Sequence, residues 1–177
     1  MDYLKKIIYI PQIDKKDQII GKVERWQAHR DSILHRGFTV ALYFQDKIVI
    51  QHRRHQVFDG VYDVTCSSHP TYHEEKLESM IDSIYQALKR EWNLSKKDLI
   101  SEPKFINKEY YQSKDKNSPY SEHEICYFYK AELKTIPVPD LKFAYGSLLL
   151  SRDEILDKKS KVYQRFAPWV YKLFSLI

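Results

Sequence analysis

Glycine and cysteine are scarce in this sequence, and long hydrophobic runs are missing. The 4 glycines, at positions 21, 37, 60 and 146, are too far apart to form the glycine-rich loop that cradles phosphates in P-loop ATPases and dinucleotide-binding enzymes. The 2 cysteines are too few for a disulfide scaffold and lack the CxxC spacing of a zinc ribbon. The sequence therefore excludes ATPase and NAD-dependent classes, and we expect both thiols to be reduced.

Apolar stretches are too short to cross a membrane. The run of leucines after Gly146 ends at Ser151, whereas a membrane-spanning helix needs about 20 apolar residues. The first residues, MDYLKKIIYI, have no long apolar core behind their lysines, as a secretory signal would. We expect a soluble, unprocessed protein in the cytoplasm, without a membrane span.

Charges of both signs are interleaved along the chain. The 29 Lys and Arg residues exceed the 24 Asp and Glu residues and give a formal charge of +5. Even the densest basic stretch, DKKSK at 157–161, contains an aspartate, so the pattern does not favour nucleic-acid binding. The small positive excess suits a phosphorylated small molecule instead.

Hydrophobic periodicity predicts an alternation of strands and helices. Strand patterns cover 6–10, 38–44, 47–52, 61–66, 104–112, 124–133 and a stretch near 143–150, and helix patterns cover 24–32, about 75–92 and roughly 163–176. The last helix is interrupted near Pro168, and Ser151 with Glu154 forms a capping box that opens a further short helix. We expect one α+β domain over residues 1–177, with a mixed β-sheet flanked by helices.

A glutamate continues the apolar stripe of the long predicted helix. Leu77, Ile81, Ile84 and Leu88 follow a 4,3,4 spacing, and the next position of the series is Glu91. A buried carboxylate is costly unless it is paired or bound to a metal. Glu91 is therefore either neutralised by a basic partner or coordinated to a cation.

Two further carboxylates share one face of a predicted strand. Glu122 and Glu124 are two residues apart, so both side chains point to the same side. Cys126 and Phe128 lie further along that face and indicate that it turns inward. Such a pair either holds a cation or shares a proton for general acid or base chemistry. The alternative is a solvated polar face on an edge strand.

Three of the 7 histidines lie at the edges of predicted elements. His29 is late in a helix, His35 precedes a strand, and His69 follows one. Imidazole with carboxylate favours Mn, Zn or Fe, whereas carboxylate with phosphate oxygens favours Mg. Taken singly, each histidine is better explained as a surface or hydrogen-bonded residue, and only convergence in space would decide for a metal site.

Several segments together resemble a known family. They are LHRGFTVALYF at 34–44, TCSSHP at 65–70, LKREWNL at 88–94, SEHEI at 121–125 and FAPW at 166–169. In this order they resemble the type I isopentenyl diphosphate isomerases, a branch of the Nudix superfamily, over roughly residues 5–172. The resemblance implies a Nudix-type α/β/α sandwich.

The resemblance also implies two metal sites and a binding site for a diphosphate. The family's metal site, for Mn²⁺ or Zn²⁺, falls on His29, His35, His69, Glu122 and Glu124, and its Mg²⁺, shared with the substrate diphosphate, falls on Glu91. Substrate binding falls on Arg25, Arg53 and Arg54. Ala87 or its neighbour stands where the family has a helix arginine, which implies an altered grip on the diphosphate.

The implied reaction interconverts isopentenyl diphosphate and dimethylallyl diphosphate, a step of isoprenoid biosynthesis, by a 1,3-proton shift. Glu124, assisted by Tyr111, matches one proton-transfer group, and Trp169 matches an aromatic wall that faces the developing cation. Ser67 stands where the family has its catalytic cysteine. A hydroxyl lacks an accessible thiolate, so we expect a rate lower by about 10² to 10⁴. Cys66 cannot substitute, because neighbouring residues in an extended segment point to opposite sides.

Two alternatives remain open. A Nudix hydrolase acting on another diphosphate would need an REUxEE pattern of carboxylates (U aliphatic), and only Glu91 of that pattern is present in QALKRE, residues 86–91. A non-catalytic relative that binds a diphosphate is the other alternative. We expect a small-molecule diphosphate as the ligand, and a monomer or weak dimer.

Overall fold

The computed structural model describes residues 3–176. Eleven strands are assigned there: β1 (Tyr9–Ile13), β2 (Ile19–Glu24), β3 (His35–Phe44), β4 (Lys47–Arg53), β5 (Tyr62–Val64), β6 (Cys66–Ser68), β7 (Tyr72–His73), β8 (Lys76–Leu77), β9 (Lys104–Lys114), β10 (Ser121–Glu132) and β11 (Ala144–Ser151). The α-helices are α1 (Arg25–Arg30), α2 (Met80–Trp92), α3 (Arg152–Leu156) and α4 (Val170–Leu173), and short 3₁₀ turns cover Tyr3–Lys5, Lys96–Asp98 and Tyr163–Arg165.

Strand β3 is the centre of the sheet. Nine of the strands in the described part of the chain form one sheet, and β7 and β8 form a separate hairpin. Strand β10 runs parallel to β3 along one edge, and β1, β6 and β4 pair antiparallel with its other edge. Strand β9 extends the sheet beyond β10, while β5 and β11 pair with β4. The sheet is mixed, as predicted.

Helix α2 covers one face of the sheet. Ser79 caps its N-terminus, where the side chain accepts a hydrogen bond from the backbone N–H of Asp82 at 3.1 Å, and Asn93, which is left-handed with φ 54°, caps its C-terminus. Its buried side includes Ile84 and Leu88, which belong to the same hydrophobic cluster as alternate residues of β3.

The opposite face of the sheet packs against the C-terminal segment. Ala41 of β3 and Phe128 of β10 form a second hydrophobic cluster with Ile155 of α3 and with Trp169 and Val170 around the start of α4. Because helices cover both faces, the α+β sandwich predicted from the sequence is confirmed.

The sequence prediction at the N-terminal side of the fold is wrong in two respects. The first strand covers Tyr9–Ile13 rather than 6–10, and β2, Ile19–Glu24, was not predicted. Strand β2 is IIGKVE, in which Gly21 and Lys22 interrupt the alternation of apolar residues. It pairs with β1 across a register shift, so its sequence carries a weak strand signal.

The long helix starts five residues later than predicted. Residues 72–77 form the β7–β8 hairpin instead, with Glu74 in the turn at φ 58°. A left-handed residue cannot continue an α-helix, so the helix begins only after Ser79. The prediction that Glu91 continues the inward-facing stripe of the helix is nevertheless confirmed, because Glu91 is buried together with Ile84 and Leu88.

The predicted strand 61–66 is split at Thr65. The Thr65 hydroxyl donates to the carbonyl of Val49 and accepts from the backbone N–H of Leu42, both at 2.9 Å. The chain therefore crosses here from β4, the partner of β5, to β3, the partner of β6.

The predicted helix 163–176 is reduced to a 3₁₀ turn and the short α4. Phe166 is extended, and the backbone N–H of Ala167 donates to the carbonyl of Tyr62 at 2.8 Å. This extended segment and the missing N–H of Pro168 break the helix. The capping box of Ser151 and Glu154 is confirmed at the start of α3.

Within residues 3–176 no helix is both long and apolar enough to pass through a bilayer. The longest, α2, has 13 residues and would reach only about 20 Å, against about 30 Å of hydrocarbon.

Candidate functional site

Three histidines and two glutamates converge where the parallel strands β3 and β10 begin. His29 comes from α1, His35 is the first residue of β3, and His69 directly follows β6, while Glu122 and Glu124 lie on β10. The three imidazole rings are mutual neighbours, with centroids 5.0 to 5.1 Å apart. The convergence on which the sequence argument depended is therefore present.

The nitrogen and oxygen atoms of this His/Glu cluster face one another. Glu122 Oε2 lies 3.3 Å from His29 Nε2, and Glu124 Oε1 lies 3.4 Å from His35 Nε2 and 2.9 Å from His69 Nε2. Each of the three histidines and Glu122 offers one possible metal-ligand atom, and these four atoms all lie within 4.8 Å of one another.

Second contacts orient two of the imidazoles. His29 Nδ1 donates to the carbonyl of Arg25 at 2.6 Å, and His35 Nδ1 donates to the carbonyl of Ile33 at 2.7 Å. Since a carbonyl can only accept, Nδ1 carries the proton and Nε2 presents a lone pair to the cluster in the neutral ring.

Three buried atoms of the cluster have no hydrogen-bond partner: Nε2 of His29, Nε2 of His35 and Oε2 of Glu122. Buried polar atoms are rarely left unpaired, and lone pairs on imidazole and carboxylate are what a divalent transition metal binds. The residues present therefore fit Mn²⁺ or Zn²⁺.

The protonation states suit metal ligands as well. Burial would raise the pKa of Glu124, but the nearby imidazoles of His35 and His69 outweigh it and lower that pKa well below its usual range. Burial lowers the pKa of His69 to about 4. Burial likewise acts against the protonated form of His29, but the charge of Glu122 outweighs it and raises the pKa. A metal ion would release the proton from such an imidazole.

Glu124 also accepts a hydrogen bond from Tyr111. The Tyr111 hydroxyl donates to Oε2 at 2.7 Å. Burial, together with the negative charges of Glu124 and Glu122, raises the pKa of Tyr111 well above its usual value, so the phenol keeps its proton. The Tyr111 ring lies 5.9 Å from that of Trp169, which is buried in the same cleft.

Ser67 lines this cleft and Cys66 does not. The Ser67 hydroxyl lies 2.8 Å from the hydroxyl of Thr39 on β3. Cys66 is fully buried in the cluster beneath α2, on the other side of the sheet, and burial raises the pKa of its thiol well above the usual value. The expectation that the two neighbours point to opposite sides is confirmed.

Three arginines line the cleft: Arg25 from α1, Arg53 from β4 and Arg90 from α2. The Nε of each is buried without a hydrogen-bond partner. The ring of Tyr3 lies 4.5 Å from the guanidinium of Arg25 and 4.0 Å from that of Arg90, which holds both in place. Guanidinium donors in such an arrangement match the oxygens of a phosphate group.

Arg54, predicted to bind substrate, lies in a neighbouring groove. Its Nη1 donates to the carbonyl of Leu141 at 3.0 Å, and its guanidinium faces the ring of Tyr145. Its role therefore stays a prediction.

Glu91 lies in the cleft and has a basic partner. Its carboxylate accepts from Arg90 at 2.7 Å and from the Gln51 amide at 3.3 Å. The described contacts therefore agree with the first alternative for this buried carboxylate, neutralisation by a basic partner. The Mg²⁺ site implied by the resemblance stays a prediction.

No protein-family model matches the chain, but curated relatives do. Isopentenyl-diphosphate delta-isomerase 2 of Homo sapiens is 26% identical over 175 residues, which cover 89% of this chain and 77% of that protein. Isopentenyl-diphosphate Delta-isomerase of Pectobacterium atrosepticum is 25% identical over 170 residues, covering 93% and 88%. The chain resembles these isomerases along most of its length.

Solved structures agree on the fold. A protein of Deinococcus radiodurans superposes with a TM-score of 0.69 at 13% identity, covering 95% of this chain and 98% of that one. A MutT Nudix hydrolase of Burkholderia pseudomallei gives 0.54 at 13% identity, covering 74% and 93%. The chain has a Nudix fold.

Two residues near the cleft of this Nudix fold were missed by the sequence argument. Arg90 lies on α2 one turn beyond Ala87, the position to which the resemblance assigns the helix arginine of the isomerase family. Its position next to Glu91 could have indicated it. Asp63 is fully buried and accepts a hydrogen bond from the Trp169 indole, and only its place in an otherwise apolar strand, VYDV, distinguished it in the sequence.

Proposed function

We propose that this protein is a metal-dependent isomerase that interconverts isopentenyl diphosphate and dimethylallyl diphosphate. One observation carries the proposal: a single cleft combines the unpartnered His29 Nε2 and Glu122 Oε2 of the His/Glu cluster with the unpartnered Nε atoms of three arginines, Arg25, Arg53 and Arg90. The first set suits a divalent cation and the second suits a diphosphate. The resemblance to two named isomerases supports the same reaction.

The three histidines and two glutamates of the cluster would hold Mn²⁺ or Zn²⁺, and Glu91 would share Mg²⁺ with the substrate diphosphate. The positive charge of the bound ion would balance the buried carboxylates and fix their orientation. With the diphosphate against the arginines, the hydrocarbon end of the substrate would lie between Glu124, Ser67 and Trp169, which line the same cleft.

Glu124 and Ser67 are placed to act at separate atoms of that hydrocarbon. Ser67 lies on β6 and Glu124 on β10, which pair with opposite edges of β3. Their strands therefore lie two strand spacings, roughly 10 Å, apart across the sheet, and the two residues are also offset along β3, since Glu124 is opposite His35 and Ser67 is opposite Thr39. Glu124, hydrogen-bonded to Tyr111, and Ser67 each exchange a proton with the substrate, one at the terminal alkene carbon and the other at the allylic carbon.

Trp169 supplies the aromatic wall of the site. The ring is almost completely buried, with 2% exposed, and stands beside Tyr111. Positive charge that develops on the substrate between the two proton transfers is stabilised by an aromatic face. The buried walls also exclude water, which would otherwise capture a carbocation.

The test is proton NMR of isopentenyl diphosphate with the purified protein, Mg²⁺ and Mn²⁺ in deuterated water. We expect dimethylallyl diphosphate carrying deuterium, and loss of the reaction after chelation. Because the same spectra report hydrolysis, release of phosphate without isomerisation would indicate the hydrolase alternative. An unchanged substrate would contradict both reactions and leave a diphosphate-binding protein.

A further inference from the structure

The cleft is too small for the ligand that its side chains suit. The space enclosed by the His/Glu cluster, the three arginines and Trp169 is about 30 Å³, which holds about two water molecules. A diphosphate needs several times that volume. Ser67, Glu124 and Tyr111 lie on strands, so these walls are built into the sheet. Room for a diphosphate therefore has to come from another wall of the cleft.

Tyr3 is the wall between this cleft and two larger cavities. One neighbouring cavity, of about 880 Å³, lies on the side of Arg54 and Tyr145, and the other, of about 340 Å³, lies on the side of Thr71 and Gln86. Among the described residues, Tyr3 alone lines the cleft and both neighbouring cavities. Displacement of this one side chain would therefore join all three spaces next to the arginines.

The segment that carries Tyr3 lies outside the sheet and the α-helices. It is the 3₁₀ turn Tyr3–Lys5, none of whose residues is buried. Two hydrogen bonds tie its backbone to α1: Arg25 Nη2 donates to the carbonyl of Tyr3 at 3.1 Å, and the Trp26 indole donates to the carbonyl of Leu4 at 3.0 Å. Because a segment with so little buried surface opens easily, this wall can move while the sheet stays intact.

Tyr3 also occupies the arginines that a diphosphate would bind. Its ring lies 4.5 Å from the guanidinium of Arg25 and 4.0 Å from that of Arg90, and its carbonyl accepts from Arg25. The buried Nε atoms of both arginines still have no hydrogen-bond partner. Tyr3 supplies aromatic contact and one neutral acceptor, whereas a diphosphate offers several charged oxygens, each of which accepts a stronger, charge-assisted hydrogen bond. The exchange of Tyr3 for a diphosphate is therefore favourable.

Resting on the diphosphate site of the proposed function, we propose that Tyr3 is a displaceable plug. It covers Arg25 and Arg90 before a ligand binds, and a diphosphate displaces it. The turn Tyr3–Lys5 then leaves the cleft, which opens into the neighbouring cavities. Because only the open form has room for the ligand, the plug lowers the apparent affinity of the protein for a diphosphate.

The first test is titration calorimetry with inorganic pyrophosphate and Mg²⁺. A plug that is closed in about nine molecules of ten lowers the apparent affinity about 10-fold, so Tyr3→Ala should bind pyrophosphate about 10-fold more tightly than the wild type. Tyr3→Phe keeps the ring and the backbone carbonyl and should bind like the wild type. Tyr9→Ala removes an exposed tyrosine on β1 that faces Lys22, and this matched control should also bind like the wild type.

The second test follows the turn itself by limited trypsin digestion and mass spectrometry. Lys5 and Lys6 are exposed, and the rate of the cut after them reports the population in which the turn is open. Saturating pyrophosphate should accelerate this cut about 10-fold in the wild type, because it converts the closed form to the open one. Cuts after the exposed Lys158 and Lys159 are the internal reference and should not change. In Tyr3→Ala the cut should be fast with or without pyrophosphate.

Either of two results would overturn the plug: pyrophosphate binding by Tyr3→Ala that is no tighter than binding by the wild type, or a cut after Lys5 and Lys6 that pyrophosphate does not accelerate. If neither the wild type nor Tyr3→Ala binds pyrophosphate, the diphosphate site of the proposed function is wrong, and the plug with it. Tighter binding by Tyr3→Ala and the faster cut, without isomerisation of isopentenyl diphosphate, would uphold the plug and overturn the isomerase reaction alone.

Discussion

Gly37 provides the space in which the carboxylate of Glu124 lies. Strands β3 and β10 run parallel, with Glu124 opposite His35 and Cys126 opposite Gly37, and the Glu124 side chain turns over Gly37. A Cβ at position 37 would overlap the carboxylate oxygens and carbon. The position of the central carboxylate of the cleft thus depends on a neighbour without a side chain.

Gly37→Ala should therefore displace Glu124 and lower isomerase activity at least about 100-fold, since a shift of about 1 Å at a reacting group has that effect. Relief of the overlap should also cost about 1–3 kcal/mol of stability. Turnover and urea unfolding measure the two effects. The control is Gly21→Ala on β2, where a Cβ would meet only Gln12 Oε1 at 3.6 Å; equal effects of the two changes would refute the argument.

Glu124→Gln should abolish isomerisation while it largely spares the fold. The amide keeps the shape of the carboxylate but cannot exchange a proton in the same way, so a loss of about 10² to 10⁴ in kcat is expected. Glu132→Gln changes an exposed glutamate at the other end of the same strand and should leave the rate unchanged. Undiminished turnover by the Glu124 variant would remove this residue from the mechanism.

The sequence predicted the parts of the site that strand and helix periodicity control. Alternation on β10 placed Glu122 and Glu124 inward, and helical spacing placed Glu91 on the buried side of α2. The edges of elements indicated His29 and His35. These positions follow from local geometry, which a single sequence contains.

The missed features depend on contacts between distant segments. Arg90 reaches the cleft because Tyr3 packs on its guanidinium, and Asp63 faces Trp169, which is more than 100 residues away in sequence. The late start of α2 depends on a turn at Glu74, whose left-handed backbone no propensity would predict for glutamate. Such features arise from tertiary packing, which periodicity does not encode.

Metal binding at the His/Glu cluster should stabilise the protein. At Mn²⁺ or Zn²⁺ concentrations about 100 times Kd, mass action adds about 2.7 kcal/mol, which corresponds to a rise in Tm of about 5–10 °C for a domain of this size. His35→Gln should remove most of this rise, whereas His73→Gln, at an exposed histidine outside the cluster, should retain it. An identical rise in both variants would place the metal elsewhere.

Substitution of Arg90 and substitution of Arg54 should have different effects on KM. Arg90 lines the cleft and has a free buried Nε, whereas Arg54 lies in the neighbouring groove and donates to Leu141. Arg90→Gln should raise KM by about 10-fold or more, the loss of one charge-assisted hydrogen bond. Arg54→Gln is the matched variant, and a larger effect there than at Arg90 would support the assignment made from the sequence.

The stability of Asp63→Asn relative to the wild type should depend on pH. Because the pKa of Asp63 is about 6 in the folded protein and 3.8 as its ordinary value, the folded state binds more protons than the unfolded state between pH 4 and 6, so wild-type stability falls as pH rises through this window. The full penalty, present above pH 6, is at most about 3 kcal/mol. Asparagine has no such titration, so the variant should gain relative to the wild type when urea unfolding is measured at pH 7.5 instead of pH 4.

Asp115→Asn is a control for which we expect the opposite pH dependence of stability. Burial acts against ionisation of Asp115, but hydrogen bonds from Ser118 and from the backbone N–H groups of Asn117 and Phe58 outweigh it and lower its pKa. Its stabilising contribution is therefore present above its ordinary pKa and lost as the pH falls, so this variant should be at its greatest disadvantage at pH 7.5. If both variants changed in the same direction with pH, the opposite pKa shifts of Asp63 and Asp115 would be refuted.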